Sequence, residues 1–460
     1  MIRPIIAHYF YKHYSTVIKN LKRIQNQTNM KKFNNRCNQA SFIIVLILLT
    51  IITSCKKSKI KPYPSIPVKQ ISFSPSAAFI GDEVTLTGEF DPDKTKNSVS
   101  FGGATALITS ASQTELKVLV PSSAKNDKLT VSVNGVETTS ATNFILYNIY
   151  VAGTEYDGGQ NKDKAVIKYW KNGMATALTD GAHNAYATSM TINGKDMYIL
   201  GYENTTGYNN VIKYWKNGLP VTLTDGTKDA YPVSIKIVGN DVYVTGYEYS
   251  NYGWPTTVKY WKNGMEVKLS NGLEEAYPSS IAINGPDVYV VGYAYDDYYN
   301  ISAKLWKNGK EAPLSQSGVY SYASDVAIIG GEVYISGTEQ TSSGSIPVYW
   351  KNGVKYNIPT SYKYTFTTSI ITQEDDFYIT GIEQGKTNTS LAWENGKTLK
   401  FFFSNTGNVS SSLTSNTIIG NTFFTAGTSE NASAYWRNGI ITLLTDKKYY
   451  SAACAIVIAP

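Results

Sequence analysis

Beyond Cys55 the chain is nearly empty of the side chains most used for chemistry: one histidine, His183, one arginine, Arg437, and one further cysteine, Cys454. A lone histidine has no second His or Cys to complete a metal ligand set. It also leaves a Ser-His-Asp triad a single candidate base, with no nucleophile-elbow motif around any serine. A lone arginine argues against Arg-based readout of phosphates or bases. Net positive charge is missing too, despite the overall +7. Eight of the 42 Lys and Arg fall within residues 1–54, which hold no Asp or Glu, so the remainder carries 34 basic against 35 acidic groups. That body has no electrostatic footprint for nucleic acid. No disulfide framework is available once Cys37 and Cys55 are assigned to the leader. Cys454, in "SAACAIVIAP", reads as a buried structural thiol rather than a nucleophile.

Other signatures are absent. No D-x-[DN]-x-[DN]-G loop occurs, leaving only the turns Asp180-Gly181 and Asp225-Gly226 to suggest calcium. No Gly-rich loop precedes a helix, so no nucleotide site is expected. Two acidic clusters exist, Asp296-Asp297 and Glu374-Asp375-Asp376. Neighbouring residues on a strand point to opposite faces, and both clusters read as solvated turn acids rather than a catalytic carboxylate pair. No metal or cofactor is expected.

The N-terminal segment is of another kind. From Met30 the chain reads "MKKFNNRCNQASFIIVLILLTIITSC": a basic stretch with Lys31, Lys32 and Arg36, then an apolar run over Phe42 to Ile52. That run is too short to span a bilayer comfortably. Its end, Ile52-Thr53-Ser54-Cys55, resembles the lipobox of bacterial lipoproteins. The resemblance implies cleavage before Cys55, lipid attachment to that cysteine and membrane anchoring by acyl chains. Met30 is the better start, with residues 1–29 an upstream extension. Lys56 gives no acidic inner-membrane retention signal, so the resemblance implies an outer-membrane address. Residues 1–54 are thus a leader and 55–65 a lipidated tether.

Residues 66–147 alternate apolar and polar side chains in short runs broken by turns, as antiparallel strands do. Ser74-Pro75, Gly81 before the strand Glu83 to Leu86, the Phe101-Gly102-Gly103 turn and Val120-Pro121 resemble an IPT/TIG domain, which is immunoglobulin-like. Such modules serve as spacers and binding domains alike.

What the rest of the chain has in abundance is repetition. "YWKNG" or a close variant occurs seven times, around Trp170, Trp215, Trp261, Trp306, Trp350, Trp393 and Trp436, spaced 45, 46, 45, 44, 43 and 43 residues apart. Periods near 40–50 residues with four short strands each mark a propeller. Each copy supplies a large apolar ring to fill the gap between sheets and an Asn-Gly pair for a tight hairpin. The propeller, 148–460, begins at "NIYVAG", a second-strand type, and ends at "AACAIVIAP", a first-strand type. The C-terminal strand should therefore complete the N-terminal blade. The expected fold is all-β: a small immunoglobulin-like sandwich followed by a seven-bladed β-propeller closed by the C-terminal strand. The W-x-N-G pattern resembles that of secreted bacterial repeat propellers.

Alternate turns of a four-stranded blade share a face. One face gets tight turns; the other gets long, varied segments such as "YENTTGYNN", "YEYSNYGWPTT" and "YAYDDYYN". Loops on a rigid scaffold concentrate binding residues, and Tyr offers a flat ring and a hydroxyl at low entropic cost. The candidate ligand-binding residues are Tyr208, Tyr249, Tyr252, Trp254, Tyr295, Tyr298 and Tyr299, with Tyr231 and Tyr277 read as packing. Trp254 is the only tryptophan outside the W-x-N-G series. The corresponding loops of the last three blades lack aromatics, so any site should be lopsided.

These features point to a lipid-anchored, non-enzymatic envelope protein that presents a Tyr-rich face to carbohydrate. The alternatives are a protein-interaction or scaffold module and, after it, a carboxylate-dependent glycan hydrolase or lyase. For the anchor, Cys55→Ser should abolish labelling by radioactive palmitate; equal labelling of both forms would remove the lipoprotein assignment.

Overall fold

Each Asn-Gly pair folds as expected of a tight hairpin. Asn172 takes φ 50° and Gly173 φ 82°, and the other six copies match them where described. The asparagine does more than tolerate a left-handed turn. Its Oδ1 accepts the N–H of Ile149 at 2.9 Å while its own N–H donates to the Ile149 carbonyl at 2.8 Å. The same double bond joins Asn217 to Met197, Asn263 to Val242, Asn308 to Val288, Asn352 to Val333, Asn395 to Phe377 and Asn438 to Phe423. One side chain thus ties the outer hairpin of every blade to the start of its second strand.

The structure, a computed structural model, describes residues 70–157, 164–205, 207, 209–250, 255–316, 318–373, 376–383, 389–404 and 411–460, with only the backbone at 389, 398–404, 411 and 412. The leader, the tether, Cys55, Tyr208, Tyr252 and Trp254 lie outside them. Among the described residues there is no α-helix, only a 3-10 turn at Lys94–Lys96.

Seven four-stranded antiparallel sheets follow one another. Blade two runs from its innermost strand, Ala185–Asn193, through Asp196–Asn204 and Asn210–Lys216 to Leu219–Thr222. Blades three to seven repeat this order, with innermost strands Ala230–Val238, Ala276–Asn284, Ser321–Ile329, Thr365–Gln373 and Ser411–Ile419. Blade one takes Asn148–Asp157, Lys164–Lys171 and Met174–Ala177 from the N-terminal side and Ser451–Ala459 from the C-terminus. Asn148 pairs with Ala459 and Glu155 with Ser451, so the last strand closes the ring and removes an open sheet edge.

The seven tryptophans are core residues. Trp170, Trp261, Trp306, Trp350 and Trp393 are at most 1 % exposed. Each fills the seam with the preceding blade: Trp261 packs with Tyr198, Leu200 and Ile212 of blade two, and Trp306 with Tyr243 and Val258 of blade three.

The innermost strands carry a feature that the repeat spacing conceals. Each has a β-bulge, between Ala187 and Ser189, Pro232 and Ser234, Pro278 and Ser280, Ala323 and Asp325, Thr367 and Ser369, and Leu413 and Ser415. In blade one Cys454 is the bulged residue. The bulge drives the preceding carbonyl against a glycine of the second strand. A Cβ on Gly292 would stand 2.0 Å from the Tyr277 carbonyl oxygen, and one on Gly246 2.4 Å from that of Tyr231.

The sandwich consists of two sheets. One orders Ser72–Ser74, Glu83–Thr87, Glu115–Leu119 and Leu107–Ala111; the other orders Ala77–Ala78, Val136–Leu146, Asp127–Val133, Asn97–Phe101 and Ala104–Thr105. Their inner faces enclose Val84, Leu86, Val99, Phe101, Leu116 and Phe144, all fully buried. Sandwich and propeller belong to one compact unit. Arg437 joins them: its guanidinium makes a bidentate pair with Asp82 at 2.8 and 2.7 Å and lies 4.4 Å above the Phe79 ring. Phe79 in turn packs on Phe424 and Tyr147. This contact sits on the tight-turn side of the propeller. On the same side, lysines of the repeat lie 5.1 to 5.3 Å over tyrosines of the second strands, as Lys307 does over Tyr289.

Replacing Gly292 by Ala should cost at least about 2 kcal/mol, since backbone must move to admit the methyl group. Gly207, whose added Cβ would meet nothing closer than 3.6 Å, is the control. Its Ala variant should stay within about 0.5 kcal/mol of wild type in denaturant titrations. Equal effects would show that the close approach at the bulge is unimportant.

Candidate functional site

On the long-loop side, the first and second strands of blades two to four begin and end with paired tyrosines: Tyr186 opposite Tyr202, Tyr231 opposite Tyr247, and Tyr277 opposite Tyr293. The segments expected as loops begin at Tyr202, Tyr247 and Tyr293; the structure places these three, with their partners, inside strands. The bulge sets the direction in which they point. By adding a residue it turns the tyrosine on the inner strand to the same side as its cross-strand partner, towards the next blade.

The rings form a continuous arc. Tyr186 stacks on Tyr202 at 5.0 Å; Tyr202 meets Tyr231 edge-on at 5.2 Å; Tyr231 stacks on Tyr247 at 5.4 Å. Tyr247 meets Tyr277 at 4.9 Å, Tyr277 packs on Tyr293 at 5.5 Å, and Tyr293 reaches Tyr322 of blade five at 5.2 Å. Such offset and edge-on pairs lie in the preferred range for aromatic rings. Of the expected ligand-binding residues, Tyr249 and Tyr295 join this arc, half-buried against Tyr247 and Tyr293. Tyr231 and Tyr277, expected to pack, do so but also form its middle.

Tyr298 and Tyr299 lie beside the arc at a loop tip, 84 % and 70 % exposed. Asp296 builds that loop. Its carboxylate accepts the N–H groups of Tyr298 and Asn300 at 2.9 and 2.8 Å and the Asn300 side-chain amide at 2.9 Å. Tyr299 is held at φ 62°, a left-handed conformation unfavourable for a bulky residue. Asp296 is therefore a turn acid, its pKa lowered by the Asn300 amide and the loop N–H groups. With Leu273, Glu275, Tyr295 and Tyr299 it borders a hollow of about 110 Å³. Asp376, from the other acidic cluster, accepts from Asn395 at 2.6 Å. Among the described residues no group of three His, Cys, Asp or Glu could hold a metal ion.

The arc skirts one end of a central channel of about 580 Å³ lined by all seven innermost strands. Bulged residues and their followers, among them Thr188, Ser189, Ser279, Ser280, Thr368 and Ser369, give it a hydroxyl-rich wall. Cys454 takes one of these places; its thiol donates to the Ala152 carbonyl at 3.4 Å, and burial pushes its pKa up to about 12, so it stays protonated at neutral pH. Sequence spacing could not reveal this wall, since the bulge positions hold Thr, Val, Ser and Cys.

Residues 71–147 match the IPT/TIG domain family model. No curated protein matches the chain. Among solved structures, the chain is similar to a protein of unknown function from Bacteroides thetaiotaomicron, 14 % identical, covering 86 % of this chain and 99 % of that one at a TM-score of 0.34. An auxiliary nutrient binding protein from the same organism is 13 % identical over 69 % of this chain and 95 % of its own, with a TM-score of 0.22. A puromycin-hydrolyzing peptidase from Mycobacterium tuberculosis is 9 % identical over 65 % and 52 %, with a TM-score of 0.46. Likenesses this distant say nothing about activity; the fold rests on the strand pairings.

Burial pushes the phenols of Tyr231 and Tyr293 up to about 12, and those of Tyr247 and Tyr277 higher still. Unfolded tyrosine loses its proton near pH 10. The folded arc therefore binds more protons above that pH, and stability falls as pH rises through the folded values. The double variant Tyr231→Phe, Tyr293→Phe should show a shallower loss of stability above about pH 10 than wild type. Identical pH profiles would mean that the rings are as hydrated as in the unfolded chain.

Proposed function

We propose that the chain is a lipid-anchored, non-enzymatic binding protein of the outer membrane whose tyrosine face takes a carbohydrate or glycan fragment. The observation that carries this is the run of tyrosine rings across blades two to five, flanked by two exposed rings on a preorganised loop. Aromatic rings cover the apolar faces of sugars while hydroxyls, amides and carboxylates bond their oxygens. The contacts between sandwich and propeller lie on the other side, at Arg437 and Phe424, which leaves this face clear of them. The arc itself offers aromatic surface and phenol hydroxyls, that of Tyr277 donating to Glu275, with no histidine or cysteine among its rings; His183, in the link before blade two, is exposed. That supports binding over catalysis.

A glycan array probed with residues 56–460 should return a carbohydrate ligand. The double variant Tyr298→Ala, Tyr299→Ala should then weaken binding at least about tenfold, as for loss of central aromatic contacts, with thermal stability kept within about 0.5 kcal/mol. An empty array, together with capture of an envelope protein lost in the double variant, would make the face a protein-interaction surface instead.

A further inference from the structure

Four blades, one, two, three and five, share a charge pair that neither the repeat motif nor the tyrosine face involves. Two residues beyond the close-approach glycine, the second strand of blade three carries Glu248; two residues before its tryptophan, the third strand carries Lys259. The two meet at 2.5 Å with both side chains at most 10 % exposed. Blade one has the same pair, Glu155 with Lys168 at 2.8 Å, and blade two has Glu203 with Lys213. In blade five Val348 replaces the lysine, and the cation comes instead from the outermost strand: Lys355, opposite Trp350, reaches Glu339 at 2.6 Å.

Blade six keeps the acid and has neither lysine. Glu383 lies at the glutamate position, 4 % exposed. Leu391 stands opposite Gly381, where blade three has Lys259 opposite Gly246, and Thr398 stands opposite Trp393, where blade five has Lys355 opposite Trp350. Among the described residues Oε2 of Glu383 has no hydrogen-bond partner. Burial raises its pKa, opposed by a hydrogen bond from Thr360. No described lysine or arginine pairs with it; a buried carboxylate without a counter-charge is costly, and a charge partner is what the four blades with this glutamate and a described pair supply.

Where the missing lysine chain would lie there is a cavity of about 400 Å³, bordered by Glu383, Thr360, Ser361, Tyr362, Leu391 and Trp393. Tyr362 is 46 % exposed at its edge. The wall therefore combines an acid with no cationic partner among the described residues, two hydroxyls and aromatic surface that can face a cation.

We propose that this cavity receives a primary ammonium group from outside the chain, seated on Glu383 in the place that blades one, two, three and five fill with their own lysine. An amino sugar and a lysine side chain offer the same ammonium. The site shares no residue with the tyrosine face, so it stands or falls separately from the glycan assignment.

Calorimetric titration of residues 56–460 with n-butylamine, glucosamine, N-acetylglucosamine and Nα-acetyl-lysine methylamide tests it. The amines should bind saturably, with dissociation constants on the order of 1 mM, and N-acetylglucosamine, which lacks the ammonium, should bind at least about tenfold more weakly than glucosamine, equivalent to about 1.4 kcal/mol. Tighter binding of glucosamine would identify a saccharide source; tighter binding of the lysine amide, a peptide. Glu383→Gln should abolish amine binding. Leu391→Lys, which restores the internal cation, should also abolish it while raising the melting temperature, so lost binding cannot be put down to misfolding. Absence of amine binding in the wild type, or equal binding by Glu383→Gln, would overturn the proposal. Equal binding of glucosamine and N-acetylglucosamine would overturn it too.

Discussion

The propeller depends on a contact with no room for a side chain. Where each innermost strand bulges, a backbone carbonyl presses on the second strand, and for six blades a Cβ there would come within 2.5 Å of that oxygen. Glycine at this point lets the bulge form. The bulge then sets three things at once: small polar residues reach the channel, paired tyrosines turn towards the neighbouring blade, and the recurring seam residues keep their register beyond it. In blades five and six the same glycine also gives space to the tryptophan ring, since a Cβ on Gly337 would stand 2.4 Å from Trp350. Remove the close approach and the seam, the channel wall and the aromatic arc lose their common geometry.

No blade is stable on its own terms. Each exposes a sheet face that only the next blade covers, so closure by Ser451–Ala459 completes a cycle of seams rather than adding one more strand. The sandwich is fixed to that cycle near its junction. Arg437 lies in blade seven, Tyr147 and Ile149 lead into blade one, and Phe79 of the sandwich packs with Phe424 and Tyr147 there. The single arginine of the body, whose scarcity argued against nucleic acid, is thus spent on holding two modules together by planar stacking and a two-point carboxylate bond.

Much of the fold was legible in the sequence because its signals are local and recur. A tryptophan every 43 to 46 residues, an Asn-Gly turn after it, and a first-strand pattern at the C-terminus suffice for seven blades and their closure. The bulge was not legible, because its own residue changes among Thr, Val, Ser and Cys and its constraint falls, in blades two to seven, on a glycine 13 positions later, as in "ILGY" or "VVGY". Missing it hid the pairing of Tyr186, Tyr231 and Tyr277 with Tyr202, Tyr247 and Tyr293. Contacts set only by register were equally hidden. Asp82 and Arg437 are 355 residues apart, and the Glu248–Lys259 pair has no spacing shared by all blades, as Lys355 shows by approaching Glu339 from a different strand. At the candidate site the sequence did pick out Tyr298 and Tyr299, since an aromatic pair after two acids in a long loop has no packing partner in the repeat.

The asymmetry of the tyrosines separates what the fold needs from what it does not. The cross-strand position is Tyr-Tyr in blades two, three and four, Tyr322-Thr338 in blade five, Phe366-Ile382 in blade six and Ser412-Thr428 in blade seven. All seven blades nevertheless close with the same bulge, glycine and buried tryptophan. A ring of phenols is therefore no condition for closure, and residues without aromatic character fill its place where the seam alone must be satisfied. The tyrosines do pack on one another, but blades six and seven satisfy the same positions without them, so closure of the ring is not the reason for six in succession. The binding role proposed above supplies one. A ligand meets only part of the propeller rim, and a run of rings confined to neighbouring blades is the pattern that such one-sided contact produces on a scaffold whose own demands are sevenfold.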